Sequence, residues 1–449
     1  MSASLSPRAA PSRLAEKLGP VLTLAPRLAL SSALVFTNKF YNLALILMIG
    51  RAQGAAALGL FLLFMTISQY LAALGSFTIP NYFVRHGLRA RLAQRHFAAA
   101  WLVSVIAAAA MGAGAGAVMA ALVDSEASAA ATIATAALMP AYGVTFLYAT
   151  NFHRAFERYA AQNLLTVALR VADLALVAVF LRGGTAVALW LPIYAAIRFG
   201  FVVAASLLIP EIGRGLKEAP RLLKAGRRRM ASAARARRIL RYSLPLVPSG
   251  FFSDISRNGD RFLVAAFLGK DMLGVYGSLY ALGNLIGAAV EPFMNVLLPF
   301  LSKLWRQTEE SAGDGSAPSG DGVFFAASFA LYAGVCALAL SLLMFAWGWV
   351  DTHYLTAEAA AFEGRKRLAL IVGAGAVLFG MMRILSVRLF RASTDQVLWL
   401  FGATGLVNIA LNLALIPALG LMGAAWATIG SSGFGLGLAI FLNRGRRRA

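Results

Sequence analysis

The chain has 449 residues, 59% of them hydrophobic and 13% charged, with a mean hydropathy of +0.72. That composition excludes an ordinary soluble domain and points to a polytopic membrane protein. The net charge of +22 would suit a nucleic-acid binder, but its distribution along the chain assigns it to membrane topology, with no nucleic acid implied.

Apolar runs long enough to cross a bilayer recur from end to end. The sequence predicts twelve spans, near 28–50, 55–78, 97–122, 128–150, 162–182, 186–209, 243–268, 273–300, 323–350, 367–390, 396–416 and 420–442. The first follows a basic, proline-containing tail and is too long for a signal-peptide core, so it is kept as a membrane helix. The one cysteine, Cys336, falls in the ninth span and excludes an internal disulfide. With the N-terminus inside, the cytoplasmic segments hold 29 Lys and Arg, the outer loops hold 6, and the spans hold the other 6 of 41. This positive-inside bias places both termini in the cytoplasm. The richest segment, within 222–241, reads as a basic amphipathic helix lying on anionic headgroups. Residues 307–322, polar and rich in Gly and Ser, read as a flexible cytoplasmic loop.

The expected organisation is an all-α membrane protein of two six-helix lobes, 1–209 and 243–449, joined by a basic cytoplasmic linker, 210–242. Equal orientation of the halves implies a pseudo-twofold axis along the membrane normal. A faint echo agrees: GAAALGLF from Gly54 to Phe61 lines up with GKDMLGVY from Gly269 to Tyr276, at an offset of 215. The same register sets Gln69 opposite Asn284, and Lys39 and Asn42 opposite Asp254 and Arg257.

Within the seventh span, Asp254, Arg257, Asp260 and Arg261 sit where a helix crosses the bilayer. A central Asp or Arg costs about 2.5–3.5 kcal/mol, so four such residues cost about 10 or more. This helix therefore needs helices or a wet cavity on its polar side. Asp254, Arg257, Asn258 and Arg261 form an i, i+3, i+4, i+7 stripe. The first span adds Asn38, Lys39 and Asn42; the eighth adds Asn284, Glu291 and Asn295, with Pro292 breaking the helix ladder. A structural reading stands beside this one, because Arg257 is at ion-pair spacing from both Asp254 and Asp260. Arg170 and Asp173 in the fifth span have the spacing of a structural pair, and Arg198 is open to either reading. Arg383, near the inner end of its span, is expected to snorkel. Asn408 and Asn412 are expected to hydrogen-bond between helices. His86, His96, His153 and His353 fall in expected loops without metal-ligand spacing. No glycine-rich phosphate loop precedes a Lys-Ser/Thr pair, so neither ATP, a metal nor a cofactor is implied.

The runs Asp260-Arg261-Phe262, Phe267-Leu268-Gly269 and Leu273-Gly274-Val275-Tyr276-Gly277 resemble the seventh-to-eighth helix region of polysaccharide flippases. The first half carries companion runs, Gly50-Arg51-Ala52-Gln53-Gly54 and Leu58-Gly59-Leu60-Phe61. Those flippases belong to the multidrug/oligosaccharidyl-lipid/polysaccharide exporter superfamily, and twelve helices fit the O-antigen-type branch better than the fourteen usual in lipid II flippases. The resemblance implies a V-shaped central cavity lined by the first, second, seventh and eighth spans. It also implies a place in the bacterial cytoplasmic (inner) membrane, in lipopolysaccharide or exopolysaccharide biosynthesis, alongside polysaccharide-assembly proteins.

The substrate it implies is a polyprenyl-pyrophosphate-linked glycan, moved from the cytoplasmic to the outer leaflet. Sugar hydroxyls cannot enter hydrocarbon unpaired, and a pyrophosphate suits the planar fork of Arg. On that chemistry Lys39, Arg257 and Arg261 are expected phosphate contacts, with Asn42 on the same polar wall. Gln69 and Asn284 are expected to hydrogen-bond sugar. Asp254, Asp260 and Glu291 are expected to pair with the cations when the site is empty, or to carry a coupling proton or sodium ion. Two alternatives stand against the flippase. A cation-coupled multidrug exporter ordinarily needs acidic residues in the first lobe, whose spans here offer only Asp173. A membrane glycan polymerase or ligase needs a sizeable outer catalytic loop, and the longest outer segment, 351–366, reads as a connector; the expectation is a transporter, not an enzyme.

Overall fold

A computed structural model describes residues 13–86, 91–122, 128–156, 158–210, 212–213, 230–244, 246–288, 290–291, 321–392 and 394–444. The expected loop over 307–320 and the end of the eighth span, with Pro292 and Asn295, lie outside the described residues.

Among the described residues the protein is helical throughout. Six helices make up the first half: α1 (Arg13–Gly75), α2 (Ile79–His86), α3 (Arg91–Leu122), α4 (Ala129–Ala155), α5 (Tyr159–Arg182) and α6 (Val187–Leu207). The linker contributes α7 (Met230–Ser243). The second half contains α8 (Leu246–Gly287), α9 (Asp321–Phe345), the short α10 (Trp347–His353) and α11 (Ala357–Ala361), α12 (Arg365–Ala392), α13 (Thr394–Leu419) and α14 (Leu421–Arg444).

Ten of the described helices are long and apolar enough to cross a membrane. Two of them, α1 and α8, each hold two of the twelve expected spans. At 1.5 Å per residue, the 42 residues of α8 would run about 63 Å if straight, twice the ~30 Å hydrocarbon core. Each is instead broken at a glycine, Gly54 in α1 (φ 81°) and Gly269 in α8 (φ 84°). A side chain is strained at such φ, so glycine is what lets the chain turn back there. The two breaks are 215 residues apart, the offset of the sequence echo.

The contact between the breaks obeys the same offset. A Cβ placed on Gly59 would lie 1.8 Å from the carbonyl oxygen of Lys270, and one on Gly274 would lie 1.9 Å from that of Ala55. Each glycine therefore receives the backbone of the opposite half, and adding 215 to one contact generates the other. Close backbone approach through small residues is how membrane helices pack without a hydrophobic driving force. The same device joins α3 to α4, where Gly112 faces the Ala136 carbonyl, and α8 to α12, where Gly283 and Gly287 face Ala369, Gly373 and Ala376.

At one end of the bundle, α7 turns Ile239 and Tyr242 toward a cluster with Ile79, Tyr82, Phe83 and Ile209, and leaves Arg237, Arg238 and Arg241 exposed. The amphipathic helix expected in the linker is present over 230–243, and residues 222–229 lie outside the described residues. At the opposite end, α10 and α11 pass beside the α1 break: Arg51 donates to the His353 carbonyl at 3.0 Å, and Arg365 holds both oxygens of Asp351 at 2.5 and 2.9 Å. That guanidinium keeps the Asp351 carboxyl below its usual value of 3.8. Residues 351–366 thus form a compact helical connector.

Two histidines depart from expectation. His96 and His153 are buried within α3 and α4, since both helices run beyond the apolar spans and shorten the loops.

Candidate functional site

The broken helices bring four expected site residues to one depth. Lys39 and Gln69 each lie fifteen residues from Gly54 (54−39 and 69−54), and Asp254 and Asn284 each lie fifteen from Gly269 (269−254 and 284−269). At helical rise that is about 22 Å from the break. Sequence symmetry and helix geometry together put these residues in one layer near mid-membrane.

Across this layer runs an ionic chain that joins the halves. Lys39 Nζ on α1 lies 3.8 Å from Glu291 Oε1, which in turn lies 4.0 Å from Arg257 Nη1. Arg257 Nη2 meets Asp254 Oδ1 at 2.6 Å on its own helix, the i,i+3 pair that the spacing allows. Tyr70 of α1 donates to the Asp254 carbonyl at 3.2 Å. Tyr280 donates to the Arg257 carbonyl, and the Arg261 guanidinium rests 4.8 Å from the Tyr280 ring centre. The Nε atoms of Arg257 and Arg261 are buried and make no hydrogen bond among the described residues. Two buried donors of the layer are thus left unsatisfied among the described residues, which is costly.

Asp260 behaves differently from expectation. It is 2% exposed and turned away from Arg257, into the second lobe. Its carboxylate accepts from the Tyr276 hydroxyl, the Thr428 hydroxyl at 3.4 Å and the Arg261 backbone N–H at 2.9 Å. Arg257 is already engaged by Asp254 and Glu291, so the alternative i,i+3 pair does not form. Asn42 and Gln69 are exposed, Asn284 is half-buried, and none of the three makes a hydrogen bond among the described residues. Asn408 donates to Ser431 at 3.0 Å and so ties α13 to α14, while Asn412 bonds back to Asn408.

Arg383 is the residue that sequence reasoning misplaced. It does not snorkel to the surface; it lies within electrostatic reach of Arg257, Glu291 and Asp254, and it shares the field at Lys39. A signal for this was present in the sequence. Ala369, Gly373, Ala376, Gly380 and Arg383 follow one another at three- and four-residue steps, so Arg383 continues the small-residue stripe by which α12 packs on α8. Glu291 is likewise one step beyond Gly283 and Gly287.

A second charged cluster lies inside the first lobe. Asp173 is bridged by Arg198 at 3.1 Å and Arg170 at 3.7 Å, and accepts from the Tyr41 hydroxyl at 2.9 Å. Arg198 sits 3.9 Å from the Tyr142 ring centre, and Arg170 donates to Asn38 at 3.0 Å.

The geometry defines a polytopic membrane protein of two helical halves with a charged layer between them, and its helical fold is one that solved transporters share. Over 90% of this chain and 93% of theirs, it superposes on an inward-facing multidrug resistance MATE family transporter of the MOP superfamily, with a TM-score of 0.60 at 15% identity. The MATE multidrug transporter DinF-BH matches at 0.58 and 15% identity over 99% of both chains. A mutant of the Vibrio cholerae MATE transporter VcmN matches at 0.62 and 13% identity, over 96% of this chain and 98% of that one. No curated protein matched the sequence. The family model described as polysaccharide biosynthesis protein matches residues 29–305, more than half of the chain. The chain belongs to that family, a flippase family of the multidrug/oligosaccharidyl-lipid/polysaccharide exporter superfamily.

Proposed function

We propose that this protein moves a polyprenyl-pyrophosphate-linked oligosaccharide from the cytoplasmic to the outer leaflet of the bacterial cytoplasmic membrane, with both termini inside. The observation that carries this reading is the ionic chain Lys39–Glu291–Arg257, which spans the two halves while the Arg257 and Arg261 Nε donors stay unsatisfied. An anionic head offers those donors the charge-assisted bonds they lack. In this reading Lys39, Arg257 and Arg261 hold the phosphates, and Glu291 with Asp254 holds the cations apart from lipid between cycles. Asn42, Gln69 and Asn284, whose side chains make no hydrogen bond among the described residues, serve the sugar hydroxyls. The polyprenyl tail stays in the bilayer. Residues 1–209 rock against 243–449 about the glycine seam, with 210–242 as tether, and the protein carries out no covalent chemistry. In the same reading a coupling proton or sodium ion would be carried by Asp254, Asp260 or Glu291, of which Asp260 lies away from the head-group layer, bonded by two hydroxyls.

One observation weighs against a drug exporter driven through the first lobe. Asp173, the acid its expected spans offer, is held by two arginines and a tyrosine, so it is poorly placed to load and release a cation.

The test is flipping of a pyrophosphate-linked glycolipid in proteoliposomes by wild type and Arg257→Ala. Wild-type flipping that is lost in a normally folded Arg257→Ala protein supports both the function and the phosphate role. Equal flipping by both keeps the function and makes Arg257 structural. Absence of flipping by intact wild type with several head groups rejects the flippase reading.

A further inference from the structure

Two guanidiniums of the charged layer, those of Arg261 and Arg383, are held by no carboxylate among the described residues; Arg261 rests on the Tyr280 ring, and Arg383 has no ring contact either. Four cations share the layer's field, Lys39, Arg257, Arg261 and Arg383. Asp254 and Glu291 ion-pair with Arg257, and Glu291 also with Lys39. Arg383 forms neither an ion pair nor a side-chain hydrogen bond among the described residues, although Glu291 and Asp254 both lie in its field. Counting Lys39, Arg257, Arg261 and Arg383 against Asp254 and Glu291 leaves two positive charges. Asp260, if ionised, takes one of these from a neighbouring face, where Tyr276, Thr428 and a backbone N–H already occupy its oxygens.

The position of Arg383 is built rather than accidental. Tyr332 of α9 directs its hydroxyl at the Ala376 and Val377 carbonyls, at 3.5 and 3.4 Å, and a Cβ on Gly380 would collide with it at 2.0 Å. This contact fixes α12 one turn above Arg383. Gly283 and Gly287 lock α8 to the same stripe, so Glu291 and Arg383 are brought to one side by helix register. An extended flexible side chain on a lipid-facing surface would need no such seat.

We propose that Arg383 is a further head-group contact, and that it supplies the charge by which this layer prefers a diphosphate-linked lipid to a monophosphate-linked one. This rests on the flippase reading above and refines it. A diphosphate diester carries two negative charges where a phosphodiester carries one, and the layer has up to two positive charges to offer. The guanidinium fork suits adjacent phosphate oxygens, and an arginine without a carboxylate partner gains a charge-assisted bond from the second charge.

The experiment measures binding of two synthetic glycolipids with the same polyprenyl tail and sugar, one diphosphate-linked and one monophosphate-linked, to the full chain in detergent. Wild type is expected to favour the diphosphate by about tenfold or more, the effect of one charge-assisted bond. Arg383→Gln should collapse that preference toward unity while leaving monophosphate binding nearly unchanged, and Arg383→Lys should restore part of it. Equal loss for both lipids in Arg383→Gln, or an unchanged preference, would overturn the proposal and leave the flippase reading standing. Equal binding of both lipids by wild type overturns it without any variant, so a poorly folding Arg383→Gln protein does not shelter it. Failure of wild type to bind either lipid rejects both readings together. Inorganic pyrophosphate, added as competitor, should displace the glycolipid weakly; displacement at comparable concentration would assign a soluble-anion site and overturn the lipid-linked proposal.

Discussion

The molecule holds two buried clusters of charge that look alike in sequence and differ in what they leave undone. In the first lobe, Asp173 and Arg198 are 4% and 3% exposed, and the carboxylate is shared by Arg170, Arg198 and Tyr41. Aromatic faces of Tyr142 and Tyr41 cover the two guanidiniums. Between the lobes, the charges of Lys39, Arg257 and Glu291 are bridged only at 3.8 and 4.0 Å, Arg257 and Arg261 keep bare Nε donors, and Arg383 has no partner among the described residues. In the first cluster Asp173 meets both guanidiniums within one lobe, although Arg198 Nε and the Tyr142 and Tyr194 hydroxyls make no hydrogen bond among the described residues. The second cluster joins the two halves and holds two guanidiniums, Arg261 and Arg383, that no carboxylate meets among the described residues. Intramembrane charge alone does not separate scaffold from function; which charges lack an opposite partner does.

The most severe way to break this contrast is to open the first cluster. Arg198→Leu strands Asp173 beside a weaker partner, and removal of one member of a buried pair costs about 3–5 kcal/mol. The expected outcome is a large loss of thermal stability in detergent. Pairing it with Asp173→Leu should recover much of that loss, because two apolar residues leave no orphan charge. Flipping per folded molecule should stay near wild type in the double variant. If it vanished while stability recovered, the first-lobe cluster would have to be counted as part of the transport machinery.

A smaller effect is expected at the glycine seam, which holds the second cluster's two sides in register. In Gly274→Ala the added methyl meets the Ala55 backbone oxygen at 1.9 Å, and the helices must separate. Overpacking of this kind costs about 1–3 kcal/mol. Ala55→Cys, buried at the seam, should resist a membrane-impermeant maleimide in the parent and react with it when Gly274→Ala is added. The native Cys336 is buried and should contribute little background. Unchanged labelling would show that the two halves do not depend on this contact.

The smallest effect lies outside the membrane. Asp351 has its carboxyl held below 3.8 by Arg365, so the bond contributes at neutral pH and is lost only as pH falls below that value. Limited proteolysis within 346–364 should therefore be flat from pH 8 to pH 5 and increase below 3.8. Asp351→Asn should remove that rise. A transition near neutral pH would assign the titration to another group.

Much of the fold was legible in the sequence because bilayer thickness fixes span length and because positive charge sorts to one side. The twelve expected spans map onto ten described helices for a simple reason: the chain turns directly at Gly54 and Gly269, so the paired spans of α1 and α8 follow one another without a loop. The offset of 215, faint as a letter match, is a strong statement once Gly59 and Gly274 are seen to receive each other's neighbouring backbone. Within the site, the Asp254–Arg257 pair was readable because three residues along one helix always face the same way. By contrast, Arg383 was read as snorkelling from its nearness to a span end, although its place on the α12 small-residue stripe pointed inward.

The sequence by itself determined the crossings, the repeat at an offset of 215 and the presence of charge that hydrocarbon cannot accept. These follow from one-dimensional properties: run length, charge sign and helical period. Only the tertiary structure decided which charges meet. It sent Asp260 to Tyr276 and Thr428 instead of Arg257, joined Lys39 to Glu291 across the lobes, gave Asp173 a second arginine, and left Arg383 facing the layer without a carboxylate. Those outcomes depend on the register between helices, which is set by where glycine and alanine allow backbones to touch. Ion pairing is decided at about 4 Å, a distance that spacing along a single chain fixes only within one helix.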